Sequence, residues 1–172
     1  MAHWLLKTEP DAFSIDDLER LGIAPWDGVR AYMARNNLMA MKVGERAFFY
    51  HSSCAPPGVV GICEVVRGAY PDHTAFDPES KYYDPRSNPE KPRWFMPDVR
   101  FVSKFPQMVT LEEIRRTPGL ESMTLVQRGM RLSVQPVGDE EWRIICRLAG
   151  VEADPTDRTK PPVPDGEATP SL

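Results

Sequence analysis

What most constrains this chain is the order of its apolar runs. They switch between the two-residue period of strands and the longer period of helices, without the strand–helix–strand rhythm of an open parallel sheet. Residues 3–7 are short and apolar with Pro10 close behind, which suits a strand. Ser14-Ile15-Asp16-Asp17 carries a capping-box pattern ahead of Leu18 and Leu21, so a short helix is expected to open at Ser14 and stop at Gly22. After a turn at Trp26-Asp27-Gly28, residues 29–41 place Val29, Tyr32, Met33, Leu38 and Met41 at roughly helical spacing. Asn36-Asn37 is expected to break or fray that helix.

Residues 46–52, built on Phe48-Phe49-Tyr50, read as a strand buried on both faces, and 59–67 as a second strand. Residues 70–92 have no period and are rich in Pro, Asp, Ser and Tyr. A loop of that length in a small domain tends to be functional rather than idle. Strand character returns over 93–105 and again over 131–137. Thr110-Leu111-Glu112-Glu113 opens another capped helix reaching about Thr117, and 139–148 places Trp142, Ile145 and Leu148 on one helical face. The fold class that follows is α+β, a small mixed β-barrel with short helices against its ends and side.

A length of 172 residues, 41% apolar and 27% charged, fits one globular domain with a real core. Of 18 prolines, Pro155, Pro161, Pro162, Pro164 and Pro170 fall near the C-terminus, in a stretch with almost no large apolar side chain. The expected organisation is therefore a domain over 1–150 and a disordered, Pro-rich, acidic tail over 151–172. The tail also carries most of the formal net charge of −4, which leaves the domain near neutral. A near-neutral domain argues against sequence-independent gripping of a phosphate backbone, although residues 28–46 and 86–104 are locally basic and could form one positive face. Cys54, Cys63 and Cys146 lack CxxC spacing and read as reduced thiols in a monomeric or weakly associating cytoplasmic protein. The opening residues lead to the expectation of no signal peptide, and no apolar window is long enough to cross a bilayer, so no membrane partner is expected.

Short pieces dense in chemistry interrupt this ordinary core sequence. Trp4-Leu5-Leu6-Lys7-Thr8-Glu9-Pro10, Trp26-Asp27-Gly28-Val29-Arg30, Arg35-Asn36-Asn37, Tyr50-His51-Ser52 and Arg131-Leu132-Ser133-Val134-Gln135-Pro136 each mix an aromatic or a cation with an amide or hydroxyl. Aromatic faces to stack on and polar groups to read an edge describe a pocket for a flat, hydrogen-bonding ligand. In a strand over 131–137, Arg131, Ser133 and Gln135 share the polar face, turned either to that pocket or to solvent. Trp26 is either a platform for a base or a plug at the end of a barrel, and Trp94-Phe95 is either core or pocket wall.

A small hydrolase using His51 or Cys54 is the competing enzyme reading, and a protein-interaction module without nucleic acid is another. The hydrolase lacks a GxSxG elbow and an oxyanion turn, and His51 and Ser52 point apart in a strand. The three histidines have no partner at metal-ligand spacing, so neither a metal nor any other cofactor is expected.

The same pieces, together with Gly61-Ile62-Cys63-Glu64-Val65-Val66, Tyr70-Pro71-Asp72, Tyr82-Tyr83-Asp84-Pro85 and Pro92-Arg93-Trp94-Phe95, resemble the signature blocks of the EVE domain family. They occur in order from Trp4 to about Gly150. One departure is Arg30-Ala31, where the family often has Arg-Asn. The resemblance implies a PUA-like fold related to the YTH and ASCH domains, and a non-catalytic role in binding DNA or RNA that carries a modified base, a modified cytosine above all. On that reading Lys7, Asn36, Ser52, Ser133 and Gln135 would recognise the edge of the base, and Tyr50 would line the pocket. Trp26 with Trp94 or Phe95 would stack on it, while Arg30, Arg35 and Arg93 would hold phosphates at the rim.

Overall fold

A computed structural model describes residues 1–153. Its frame is a mixed six-stranded sheet in the order β2-β5-β4-β3-β1-β6. These are β1 (His3–Thr8), β2 (Ile23–Pro25), β3 (Arg46–His51), β4 (Gly58–Pro71), β5 (Phe95–Thr110) and β6 (Val134–Val137). Helices α1 (Ile15–Leu21), α2 (Tyr32–Ala40), α3 (Leu111–Arg116) and α4 (Asp139–Ala149) cover it. The expected barrel does not close. The sheet ends on β2 and β6, strands of three and four residues that pair with β5 and β1 and not with each other.

The alternation of strand side chains divides the core into two layers. Trp4, Leu6, Ala47 and Phe49 face one cluster with Ile15 and Leu18 of α1 and Ala34 and Leu38 of α2. Leu5, Phe48 and Tyr50 face the other, with Ile114 of α3 and Trp142, Ile145 and Cys146 of α4. Residues 47–50 are apolar and buried at every position because β3 has helices on both sides. Trp142 stacks on Phe48 with ring centroids 3.9 Å apart, which fixes α4 against the sheet.

The helix caps fall where expected. Ser14 Oγ accepts from the Asp17 N–H at 3.1 Å and Asp17 Oδ2 accepts from the Ser14 N–H at 2.9 Å, a reciprocal cap of the kind that contributes roughly 1 kcal/mol. Gly22, at φ 78°, ends α1. Thr110 Oγ1 accepts from the Glu113 N–H at the start of α3. Helix α2 corrects an expectation, since it runs unbroken through Asn36-Asn37. Asn37 Nδ2 donates to the Val134 carbonyl at 2.7 Å, so a tertiary bond to β6 outweighs the weak helix propensity.

β1 and β3 pair in parallel, from His3 opposite Arg46 to Thr8 opposite His51. A parallel pair needs a long crossover, and residues 9–45 supply it with α1, β2 and α2. Both strands therefore end on the same side of the sheet, where the Ser52 N–H donates to the Thr8 carbonyl at 2.9 Å. The packed chain also passes the expected boundary at 150. Val151 and Ala153 lie against the second cluster, and the Ala153 carbonyl accepts from the Trp142 indole N–H. The remainder of the expected tail, 154–172, lies outside the described residues.

Candidate functional site

A cavity of about 840 Å³ opens at the common end of β1 and β3, within the range of small-ligand sites of roughly 300–1,000 Å³. Lys7, Thr8 and Glu9 leave β1 into it, Ser52 and Ser53 leave β3 into it, and residues 24–31 form the wall after β2. Lys81 and Tyr82 come from the long loop, and Met130, Arg131 and Ser133 from the approach to β6. Segments distant in sequence converge here because the parallel pairing ends both strands at one place.

Trp26 is the floor. It is 6% exposed and packs edge-on against Phe49 at 5.4 Å and Phe13 at 6.1 Å. Tyr82 is the aromatic wall beside it, lying so close over Gly28 that a Cβ there would meet the ring at 2.6 Å. Gly28 also sits at φ +79°, so both its conformation and its lack of a side chain are required.

Two half-buried charged groups face the cavity. Lys7 has its ammonium 5.7 Å from the Tyr50 ring centroid, and burial holds its pKa below the ordinary lysine value. The Asp27 carboxylate has no hydrogen-bond partner among the described residues beyond its own backbone N–H. Burial first, then the charge of Asp72, pushes its pKa above the usual aspartate value.

Behind this wall the polar groups are saturated. All five N–H donors of Arg30 have acceptors: Nε and Nη2 on the Tyr82 carbonyl, Nη1 on the Val29 carbonyl and Asp72 Oδ2, and Nη2 also on Thr74 Oγ1. Asp72 is 0% exposed and accepts from Arg30, the Gly28 N–H, and both the N–H and Oγ1 of Thr74. Burial raises its pKa, but these hydrogen bonds outweigh burial and hold it below the ordinary value. The long loop is thus no loose segment. Arg30 and Asp72 clamp it to residues 28–30 and so place the Tyr82 ring.

Of the residues expected at a pocket, Lys7, Trp26, Ser52 and Ser133 line the cavity, and so does Arg30, with its guanidinium already committed. The others stand elsewhere. Asn36 is exposed on α2, where its Oδ1 accepts from Arg35. Tyr50 is buried in the layer with α4, and burial pushes its hydroxyl up to about 12. Trp94 stacks on Tyr32 at 5.1 Å and donates its indole N–H to Asp84 at 2.7 Å. Phe95 begins β5, opposite Pro71. Gln135 is wholly enclosed beside Leu5, with Nε2 on the Leu132 carbonyl. The regular strand starts only at Val134, and the cavity lies at its end, so the two-residue step that shares a face with Ser133 carries Gln135 roughly 7 Å away from it.

The expected basic face is largely neutralised within the fold. Arg46 and Arg100 both reach Glu64, Lys104 meets Asp16, and Arg35 donates to the Arg93 carbonyl while lying 4.8 Å from the Tyr32 ring centroid. Arg93 donates its own backbone N–H to Ser87. The exposed cations at the cavity are instead Lys81 and Arg131, outside both basic stretches. Asp27, Tyr82 and Lys81 were missed as site residues. Their blocks were legible, but the only signal for them was position beside Trp26-Gly28 and in a loop already marked as functional.

The hydrolase reading finds no assembled pair. His51 Nε2 accepts from the Ile15 N–H at the head of α1, and Cys54 Sγ donates to the Pro56 carbonyl. Among the described residues no group of three or more His, Cys, Asp or Glu is placed to hold a metal ion, and no helix is long and apolar enough to cross a membrane.

The model of the EVE domain matches residues 2–148. Mouse thymocyte nuclear protein 1 is 45% identical over 169 residues, covering 87% of this chain and 74% of that protein. A Pseudomonas syringae protein of known crystal structure superposes with a TM-score of 0.84 at 51% identity, covering 86% of this chain and 99% of the other. Human THYN1 protein, solved in complex with 5-methylcytosine containing DNA, superposes with a TM-score of 0.82 at 42% identity, covering 88% and 99%. This chain belongs to the EVE domain family.

Proposed function

We propose that this protein is a non-catalytic reader of DNA that holds one modified base, a modified cytosine, in the cavity at the end of β1 and β3. The observation that carries the reading is the cavity itself. An aromatic floor and wall from Trp26 and Tyr82 stand beside uncommitted polar groups of Lys7, Asp27, Ser52 and Ser133, in a relative of a protein solved with 5-methylcytosine DNA. Turning a base out of its strand costs a few kcal/mol, and aromatic stacking returns roughly 1–3 kcal/mol per base, so the polar contacts must supply the rest. Lys81 and Arg131 at the lips would meet phosphates. The buried Cys63, its thiol pushed up to about 12 by burial, and the half-exposed thiol of Cys54 fit a reducing, cytoplasmic setting.

Binding of oligonucleotides carrying a panel of modified bases tests this. Replacing Lys81 and Arg131 together by alanine should weaken modified and plain strands alike and lower the salt slope by about one per lost phosphate contact. Ser133→Leu, which fills the cavity, should remove only the preference for the modified base. Equal affinity of the unaltered protein for modified and plain strands refutes the reading.

A further inference from the structure

Among the described residues Asp27 is the one half-buried acid of the cavity whose chemistry is not explained by holding the fold together. Its neighbour Asp72 is saturated by Gly28, Arg30 and Thr74, whereas the Asp27 carboxylate is left open toward the cavity. An ionised carboxylate can only accept hydrogen bonds, and the Lys7 ammonium, lining the same cavity, can only donate them. A flat ligand that satisfies both must carry a donor at one end and an acceptor at the other.

We infer that Asp27 is the specificity-determining residue of this cavity, admitting bases of the cytosine class, with an exocyclic amine to donate to Asp27 and a ring carbonyl to accept from Lys7, and excluding the keto pyrimidines thymine and uracil. The inference rests on the proposed DNA-reading role of the cavity. Thymine carries the same methyl group as 5-methylcytosine but replaces the amine by a carbonyl oxygen, whose lone pairs would face the carboxylate. Its one edge donor, N3–H, lies between two carbonyls, so a carboxylate that reaches it also meets their repulsion. A site that selected by shape and methyl group alone would confuse the two bases, and Asp27 separates them.

The rejection depends on charge and so on pH. Burial first, then Asp72, raises the Asp27 carboxyl, while His73 and Arg30 pull it down; Lys7 and Glu9 line the same space. Once protonated, Asp27 can donate to a carbonyl and the selection fails. Preference for cytosine over thymine is therefore greatest at high pH and shrinks as pH falls through the carboxyl's titration.

The test compares single strands with 5-methylcytosine, cytosine or thymine at one position, so that no difference in base pairing enters. The unaltered protein should prefer 5-methylcytosine to thymine by about tenfold or more at pH 8, with a smaller ratio at pH 5. Asp27→Asn keeps the shape, and its amide can present either a donor or an acceptor. It should stay folded, with a ratio for the two strands near one at every pH. An Asp27→Asn protein that keeps the original ratio and pH course overturns the inference, as does an unaltered protein that binds thymine and 5-methylcytosine equally while still preferring the latter to cytosine. Equal binding of all three by the unaltered protein overturns the DNA-reading role as well.

Discussion

Asp27 and Asp72 meet at the Asp27–Gly28 peptide, and their environments are opposite. Asp72 is enclosed with four hydrogen bonds and its pKa is held down; Asp27 is half-open, without a side-chain partner among the described residues, and its pKa is held up. The first stabilises the fold and the second is left available by it. The same division separates Arg30, with every donor used, from Lys7, whose ammonium has only the Tyr50 ring, 5.7 Å away, beside it among the described residues. Saturated groups form the wall, and unsaturated ones face the cavity.

The most severe way to break this contrast is to remove the saturated acid. Asp72→Ala leaves the Arg30 guanidinium, itself only 22% exposed on its side chain, without its charge partner, and should cost about 3–5 kcal/mol in denaturant unfolding. A loss near zero would mean that the loop is held by something other than this clamp. Gly28→Ala comes next. The added Cβ must displace the Tyr82 ring and strain a backbone at φ +79°, for a loss of roughly 1–3 kcal/mol. It should also weaken binding of the modified base by moving the aromatic wall, which a thermal melt and a binding curve would separate.

The smallest effect sharpens the comparison through pH. Asp72, with its folded pKa lowered, contributes stability that is present above the ordinary carboxylate pKa and is lost as pH falls through the lowered value. Asp27, with its folded pKa raised, contributes stability that is present below the ordinary value and is lost as pH rises through the raised one. Unfolding of Asp27→Asn across that window should show the variant gaining on the parent as pH rises. A constant difference would mean that Asp27 is not the buried, unpartnered acid described above.

Legibility in the sequence followed the range of the interaction. Ser14 and Thr110 capped the helices where their patterns said, because a cap is decided within three residues. The both-faces burial of Phe48-Phe49-Tyr50 was equally plain from period alone. Within the site, Lys7, Trp26, Ser52 and Ser133 were found through signature blocks. Asn36, Trp94 and Gln135 belong to the same blocks and lie outside the cavity, since membership of a block does not say which way a side chain turns.

The strand and helix periods, the caps and the family of this chain were determined by sequence alone, because each is written in neighbouring residues or in ordered blocks of them. Tertiary structure decided that the sheet stays open, that Arg30 clamps the long loop with every donor used, and that Asp27 keeps no side-chain partner among the described residues. Arg30 finds its acceptors at Asp72, Thr74 and Tyr82, more than forty residues away. Whether a polar side chain is spent on the fold or left for a ligand depends on partners that only the folded chain brings within hydrogen-bonding distance.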